Sequence, residues 1–385
     1  MGELNFGGTE LRTVDLLPRL AAAGVVVDLV TLSDRIGPGP LASVARRLGG
    51  TVHALPLDLR FPARFLRLLR RLRPDAVHTD FGNFSGVLLT LAALAGVPTR
   101  VAHFRGDDNE QRSLRRRVQR VLFRRMLDLF ATDVLGVSPS ALTCGYSPTW
   151  TNDARCRVVL NGLDLDRLLR PSNVDLRATV GAGPGALLCL TVGRASAEKR
   201  RWFVPPVIAA LRDMGIEAHA VLVGPADAAD DARVRQEAVS RGVNRQVHLL
   251  GPRADVGGLL RQADIVLAPS ILEGLPGSVL EPVAIGTPVV SVDLPGVRFI
   301  ADHLAGVTLV DRDASAEQWA ANIRTVVTAT RADDRGEAVT RFRASAFSLD
   351  AAVAEHVTMY RRRLGAGGPG PEVEAPDGRM AKSEP

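Results

Sequence analysis

The sequence predicts an α/β protein built from two Rossmann-like units, each a parallel sheet with helices on both faces. Three observations predict it. Short apolar runs alternate with amphipathic segments along almost the whole chain, and continuous apolar strands separated by helices mark sheets covered on both sides. The 385 residues exceed what one core usually serves. The alternation breaks once, near 163–184, where Pro171-Ser172-Asn173 and Gly181-Ala182-Gly183-Pro184-Gly185 interrupt it.

The first unit opens on Gly7-Gly8 and a helical pattern over Thr9–Ala23. Parallel units ordinarily open on a strand, yet only Met1–Phe6 precede this one, so its first strand is expected to be short or missing and the natural start to lie upstream. Strands are expected at Val25–Leu32, Ala76–Thr79, Arg100–Phe104, Val134–Val137 and Arg157–Leu160. In the second unit they are expected at Leu187–Val192, Ala218–Val223, Gln246–Leu250, Ile265–Ala268 and Val289–Val292. Helical patterns such as Phe65–Leu72, Pro205–Asp213 and Val256–Arg261 lie between them. An amphipathic stretch over Asp350–Leu364 follows. The expected division is therefore 1–165, 166–345, a C-terminal helix at 346–364 packing back on the first unit, and a disordered tail at 365–385 rich in Gly, Pro and charge. No internal repeat is visible.

Composition narrows the class. No apolar run is long enough to span a bilayer, and the first residues do not read as a signal peptide. Cys144, Cys156 and Cys189 are odd in number and match no zinc or redox spacing, which fits buried thiols in a reducing cytoplasm. The net charge is +6, carried by arginine, and the only lysines are Lys199 and Lys382. Aromatic residues are 4% and no stacking motif accompanies the charge, so nucleic-acid binding is not expected.

The segment most informative about chemistry is 263–292. A strand at Ile265–Ala268 leads into a loop at Pro269–Gly277, a helix at Ser278–Ile285, then Gly286-Thr287-Pro288 and another strand. Ligands of parallel sheets bind outside the carboxyl ends of the strands. A helix start there offers free N–H groups and a positive dipole end to an anion. Glu273 lies in the loop and Glu281 within the helix, so one carboxylate is free to face a sugar hydroxyl and the other a ribose diol. The plain alternative is two glutamates that favour the helix dipole. The whole pattern, Pro-Ser-x-x-Glu-Gly-x-Pro-x-x-x-x-Glu-x-x-x-x-Gly-x-Pro-Val-Val, is much more specific than the glutamate pair.

With these residues in view, the chain resembles glycosyltransferase family 4, retaining enzymes of the GT-B fold, and within it the bacterial polysaccharide-type transferases. The resemblance covers most of residues 5–310. It is carried further by Gly7-Gly8-Thr9-Glu10, Asp75-Ala76-Val77-His78-Thr79, the run from Val97 to His103, Val159-Leu160-Asn161-Gly162-Leu163-Asp164, Val192-Gly193-Arg194 with Glu198-Lys199, and Leu222-Val223-Gly224. It implies a nucleoside-diphosphate sugar as donor, held mainly by the C-terminal domain. It also implies a hydroxyl acceptor on the N-terminal domain and no essential metal or other cofactor.

The resemblance assigns roles. Arg194 and Lys199 follow the Leu187–Val192 strand and would neutralise the donor diphosphate, the arginine as a fork and the lysine as a point charge. The bland alternative is a solvated basic turn, since Arg200 and Arg201 come next. Gly7 and Gly8 would let backbone approach phosphate. Donor contacts are also expected from Glu273, Gly274, Leu275, Pro276, Glu281, Gly224 and Arg253. His103 would approach the donor sugar by backbone or ring, without general-base work; a packed histidine is the alternative. Where relatives often carry a second histidine this chain has Arg105, followed by Gly106-Asp107-Asp108. Asp164-Leu165-Asp166 spells a metal-binding triplet, but helix capping suits its place better.

Two arginine-rich helical stretches, one from Arg64 to Arg73 and one from Arg112 to Arg125, lie in the expected acceptor domain. Each reads first as the solvated outer face of a helix in an arginine-rich chain, and each is also a candidate for peripheral contact with an anionic membrane. Two other functions stand beside the transferase: a nucleotide-sugar epimerase of related fold, and a non-catalytic sugar-nucleotide binder or inactive fragment.

Overall fold

The computed structural model describes residue 4 and residues 8–32, 39–106, 114–329 and 334–362. Gly7, the Asp107-Asp108 pair and the 365–385 tail lie outside the described residues. Twelve strands are described: β1 Asp28–Thr31, β2 Thr51–Ala54, β3 Ala76–Thr79, β4 Thr99–Phe104, β5 Asp133–Gly136, β6 Cys156–Val158, β7 Leu187–Val192, β8 Ala218–Val223, β9 Val247–Gly251, β10 Ile265–Ala268, β11 Val289–Val292 and β12 Val307–Val310. They form three sheets, ordered β1-β2, β3-β4-β5-β6 and β12-β11-β10-β7-β8-β9. Every pairing is parallel. The molecule is thus α/β with the layered architecture of the GT-B fold.

All ten expected strands are present within a few residues of their expected bounds. β2 and β12 were not expected. Both are four residues long and mostly half-buried or exposed, so neither shows a continuous apolar run.

The six-stranded sheet places the site. Its order runs outward from β7 in both directions, through β8 to β9 and through β10 to β12. β7 and β10 therefore stand at a topological switch point, where the loops leaving the two strands diverge and open a crevice. The loop after β7 carries Arg194 and Lys199, and the loop after β10 carries Glu273.

One large core surrounds this sheet and a smaller one surrounds β4 and β5; Leu275 packs against both. The helix Leu349–Arg362 turns back onto the first half of the chain. Its Leu349, Ala352 and Val357 pack with Leu16 and Leu20 of the helix Gly8–Ala22. Its Met359 reaches Val101, Leu135 and Val159. A Cβ on Gly162 would come within 2.6 Å of the Ala352 side chain, so this return needs a glycine beneath it. Burial pushes the Cys156 and Cys189 thiols up to about 12 and keeps them protonated.

Candidate active site

Glu273 and Lys199 form an ion pair across the crevice, with their side chains 14% and 19% exposed. The two loops are further tied by the Ile271 N–H, which donates to the Glu198 carbonyl at 2.9 Å. Lys199 is thus turned inward while its neighbours face elsewhere. Arg194 is 70% exposed and pairs with Glu198 at 3.0 Å. Arg200 adopts a left-handed backbone and donates to the Arg312 carbonyl at 3.1 Å. Arg201 is buried against Asp230 and Asp231. The segment is a folded turn in which Lys199, Arg200 and Arg201 are separately committed and Arg194 stays largely exposed at the rim.

Glu281 has its own cations. It is bonded to Arg12 and lies 3.9 Å from Arg167. Asp15 joins the group, 3.5 Å from Arg12 and 3.4 Å from Arg167. Burial raises the Asp15 carboxyl, and the two arginines work against that rise. Arg12 also stands at the start of the helix Gly277–Ala284, where a Cβ on Gly277 would meet its Nη2 at 3.5 Å. A guanidinium beside a positive helix end is favourable only with carboxylates around it, which Glu281 and Asp15 provide.

Gly274 is wedged between the two halves. A Cβ there would lie 2.9 Å from the Arg105 carbonyl oxygen and from the Gly106 Cα. Its own carbonyl accepts from the Ser138 hydroxyl at 3.1 Å. Pro276 precedes the helix with extended backbone and is buried. Gly8 opens the helix Gly8–Ala22 with free space where a Cβ would stand.

Other expected residues sit differently. Gly224 has φ +147°, and a Cβ on it would fall 2.0 Å from the Gly193 carbonyl oxygen, so it lets the ends of β7 and β8 close together. Arg253 is held by Asp255 through two bonds of 2.8 and 2.7 Å, and Ser172 donates to the same carboxylate. The Asp255 carboxyl is lowered to about 2, mainly by Arg253. His103 is buried with its ring against His78 and His356. Asp164 caps a short helix by accepting from the Arg167 N–H at 3.3 Å, and Asp166 pairs with Arg343, so the triplet is spent on structure.

Residues 186–329 match the family described as Glycosyl transferases group 1, and residues 7–144 match the Glycosyl transferase 4-like domain. The chain belongs to the family 4 glycosyltransferases. It is similar to the capsular polysaccharide biosynthesis glycosyltransferase CapH of Staphylococcus aureus, 26% identical over 72% of this chain and 76% of CapH. It is also similar to the putative glycosyltransferase EpsF of Bacillus subtilis strain 168, 27% identical over 85% of this chain and 86% of EpsF. Among solved structures, Anabaena Alr3699/HepE in complex with UDP superposes with a TM-score of 0.74 at 18% identity, covering 92% of this chain and 96% of that one.

In this glycosyltransferase the crevice also holds residues that the sequence did not single out. Arg12, Asp15, Arg167 and Ser138 shape the crevice from the first half of the chain or from the segment joining the halves. Arg12 and Glu281 are 269 positions apart, and no local pattern links them.

Proposed function

We propose that the enzyme is a retaining hexosyltransferase that moves a sugar from a nucleoside-diphosphate sugar to a hydroxyl acceptor. The observation that carries this reading is the crevice at β7 and β10, where Lys199 and the helix start at Gly277 flank a carboxylate each. The diphosphate of the donor takes over Lys199 from Glu273, which frees that carboxylate for a sugar hydroxyl. Arg194, exposed at the rim, closes onto the diphosphate as a fork. Glu281 holds the ribose diol, and Gly274, Leu275 and Pro276 set the loop beneath the sugar. As the glycosidic bond breaks, the nucleoside diphosphate leaves with its electron pair, and Lys199 and Arg194 stabilise the added charge. The acceptor hydroxyl attacks the same face, and its proton passes to the departing phosphate oxygen. The protein's own cations carry the neutralisation, so the transfer requires no metal. His103 contributes by fixing the end of β4 and takes no proton.

CapH, a capsular polysaccharide biosynthesis glycosyltransferase, supports a reading in polysaccharide assembly; glycolipid and secondary-metabolite acceptors belong to the same chemistry. HepE, alike in fold, is solved with UDP and with UDP-glucose. A thermal-shift screen of nucleotide sugars tests the donor, since the right one stabilises the fold by mass action. Release of nucleoside diphosphate that depends on an added acceptor tests the transfer. Release without acceptor, or binding without turnover, would sink it.

One observation also favours contact with an anionic membrane. The helix Leu114–Phe130 leaves Val118, Val121, Leu122 and Leu129 more than half exposed, among arginines. Exposed apolar side chains set in basic charge suit the surface of anionic lipid. No described helix is long and apolar enough to cross a membrane. Sedimentation with anionic vesicles, and its loss in Leu122→Asp, is the expected result; equal sedimentation of both proteins would count against it.

A further inference from the structure

We propose that His78, His103 and His356 form a binding site for a divalent transition metal of the softness of zinc, tying the returning C-terminal helix to the first-half sheet. His78 stands on β3, His103 on β4 and His356 on the helix Leu349–Arg362. Each ring offers one nitrogen, and these atoms all lie within 4.8 Å of one another.

The outer nitrogens decide where the inner lone pairs point. His356 Nδ1 is 2.7 Å from the Ala352 carbonyl, which only accepts, so that nitrogen carries the hydrogen and Nε2 is left bare. His78 Nδ1 is 2.9 Å from the Tyr360 hydroxyl. His103 Nε2 is buried with no hydrogen-bond partner of normal geometry. Placing the hydrogens outward leaves His78 Nε2 and His103 Nδ1 facing each other at 3.1 Å. Two lone pairs at that distance repel unless a cation joins them. A tetrahedral ion with bonds of about 2.0–2.1 Å sets neighbouring ligand nitrogens roughly 3.3 Å apart. The observed pair is close to that spacing, and a modest movement of His356 completes three ligands with a fourth position open.

Charge and chemistry agree. Neutral imidazole is the ligating form, and near pH 7 an imidazole is largely neutral. Arg105 and Arg157 are opposing charges nearby; Asp80 at 4.0 Å and Glu10 answer the first, and Asp133 at 3.0 Å the second. Three imidazoles without a carboxylate favour zinc, cobalt or nickel over magnesium or calcium. The metal-free alternative is a chain in which Tyr360 donates to His78 and His78 donates to His103. That chain needs no His356, although its ring stands 5.6 Å from that of His78.

The test uses the full chain stripped with a chelator. Co²⁺ is titrated by visible absorption and Zn²⁺ by calorimetry, on wild type, His78→Gln, His356→Gln and His248→Gln. The last alters the separate His219–His248 pair. The expected result is one equivalent bound per wild-type chain, with the visible bands of a tetrahedral cobalt site. His78→Gln and His356→Gln should weaken binding by more than the roughly 10–100-fold that outer partners alone are worth. His248→Gln should bind as wild type does. No saturable binding by the wild type would overturn the site whatever the variants do. So would His356→Gln binding as tightly as wild type.

Discussion

Lys199 shows how one side chain among many cations acquires a task. The chain has 48 lysines and arginines, and Lys199 is one of only two lysines. Its inward turn onto Glu273 sets it apart from Arg200, whose guanidinium rests on a carbonyl and lies over the Phe203 ring. Lys199→Ala should therefore lower kcat by about 10²–10³-fold, the scale of losing one preorganised charge in a transition state. Arg200→Ala should change it less than about threefold, since no transition-state contact is lost. Steady-state kinetics on both variants is the check, and equal losses would remove the diphosphate role from Lys199. Sequence alone brought Arg194 and Lys199 together. It could not separate them, because direction depends on where a turn points each side chain. The same limit hid the pairing of Arg253, whose fork is held by Asp255 two residues on.

At the scale of elements, the strands were the most legible part. β7, β8, β10 and β11 are almost wholly buried, and their sequences are mainly apolar, interrupted only by Thr191, His219 and Ser291. β2 and β12 escaped because half-buried four-residue strands leave no such trace. The crevice geometry also rests on close approach. The ends of β7 and β8 meet at Gly224, where a methyl group would collide with the Gly193 carbonyl. Gly224→Ala should cost at least roughly 3 kcal/mol and displace the Arg194–Lys199 loop with it. Urea denaturation reads the first effect and donor KM the second; an unchanged midpoint would show that the strand ends have room to part. Glycine was visible in the sequence, but the carbonyl it must accommodate was not.

At the scale of the whole molecule, the site is an agreement between distant parts of the chain. Gly274 abuts the backbone of Arg105 and Gly106, Leu275 enters both cores, and the C-terminal helix returns to the first half. The order of motifs announced the two halves, yet no residue pattern announced which side chains would meet across them. Arg12 and Glu281 are the clearest instance, and they set a condition on the enzyme's first step. The protein supplies its own ligand for the carboxylate that the ribose is proposed to claim, with Arg12 on Glu281 Oε1. A donor that takes the same oxygen competes with Arg12, and its apparent affinity is then the difference between two interactions with one carboxylate. Arg12→Ala withdraws the rival. Calorimetric binding of the nucleoside diphosphate should then tighten by roughly five- to tenfold, about 1 kcal/mol. Weaker binding in that variant would mean that Arg12 moves with the incoming nucleotide and serves it.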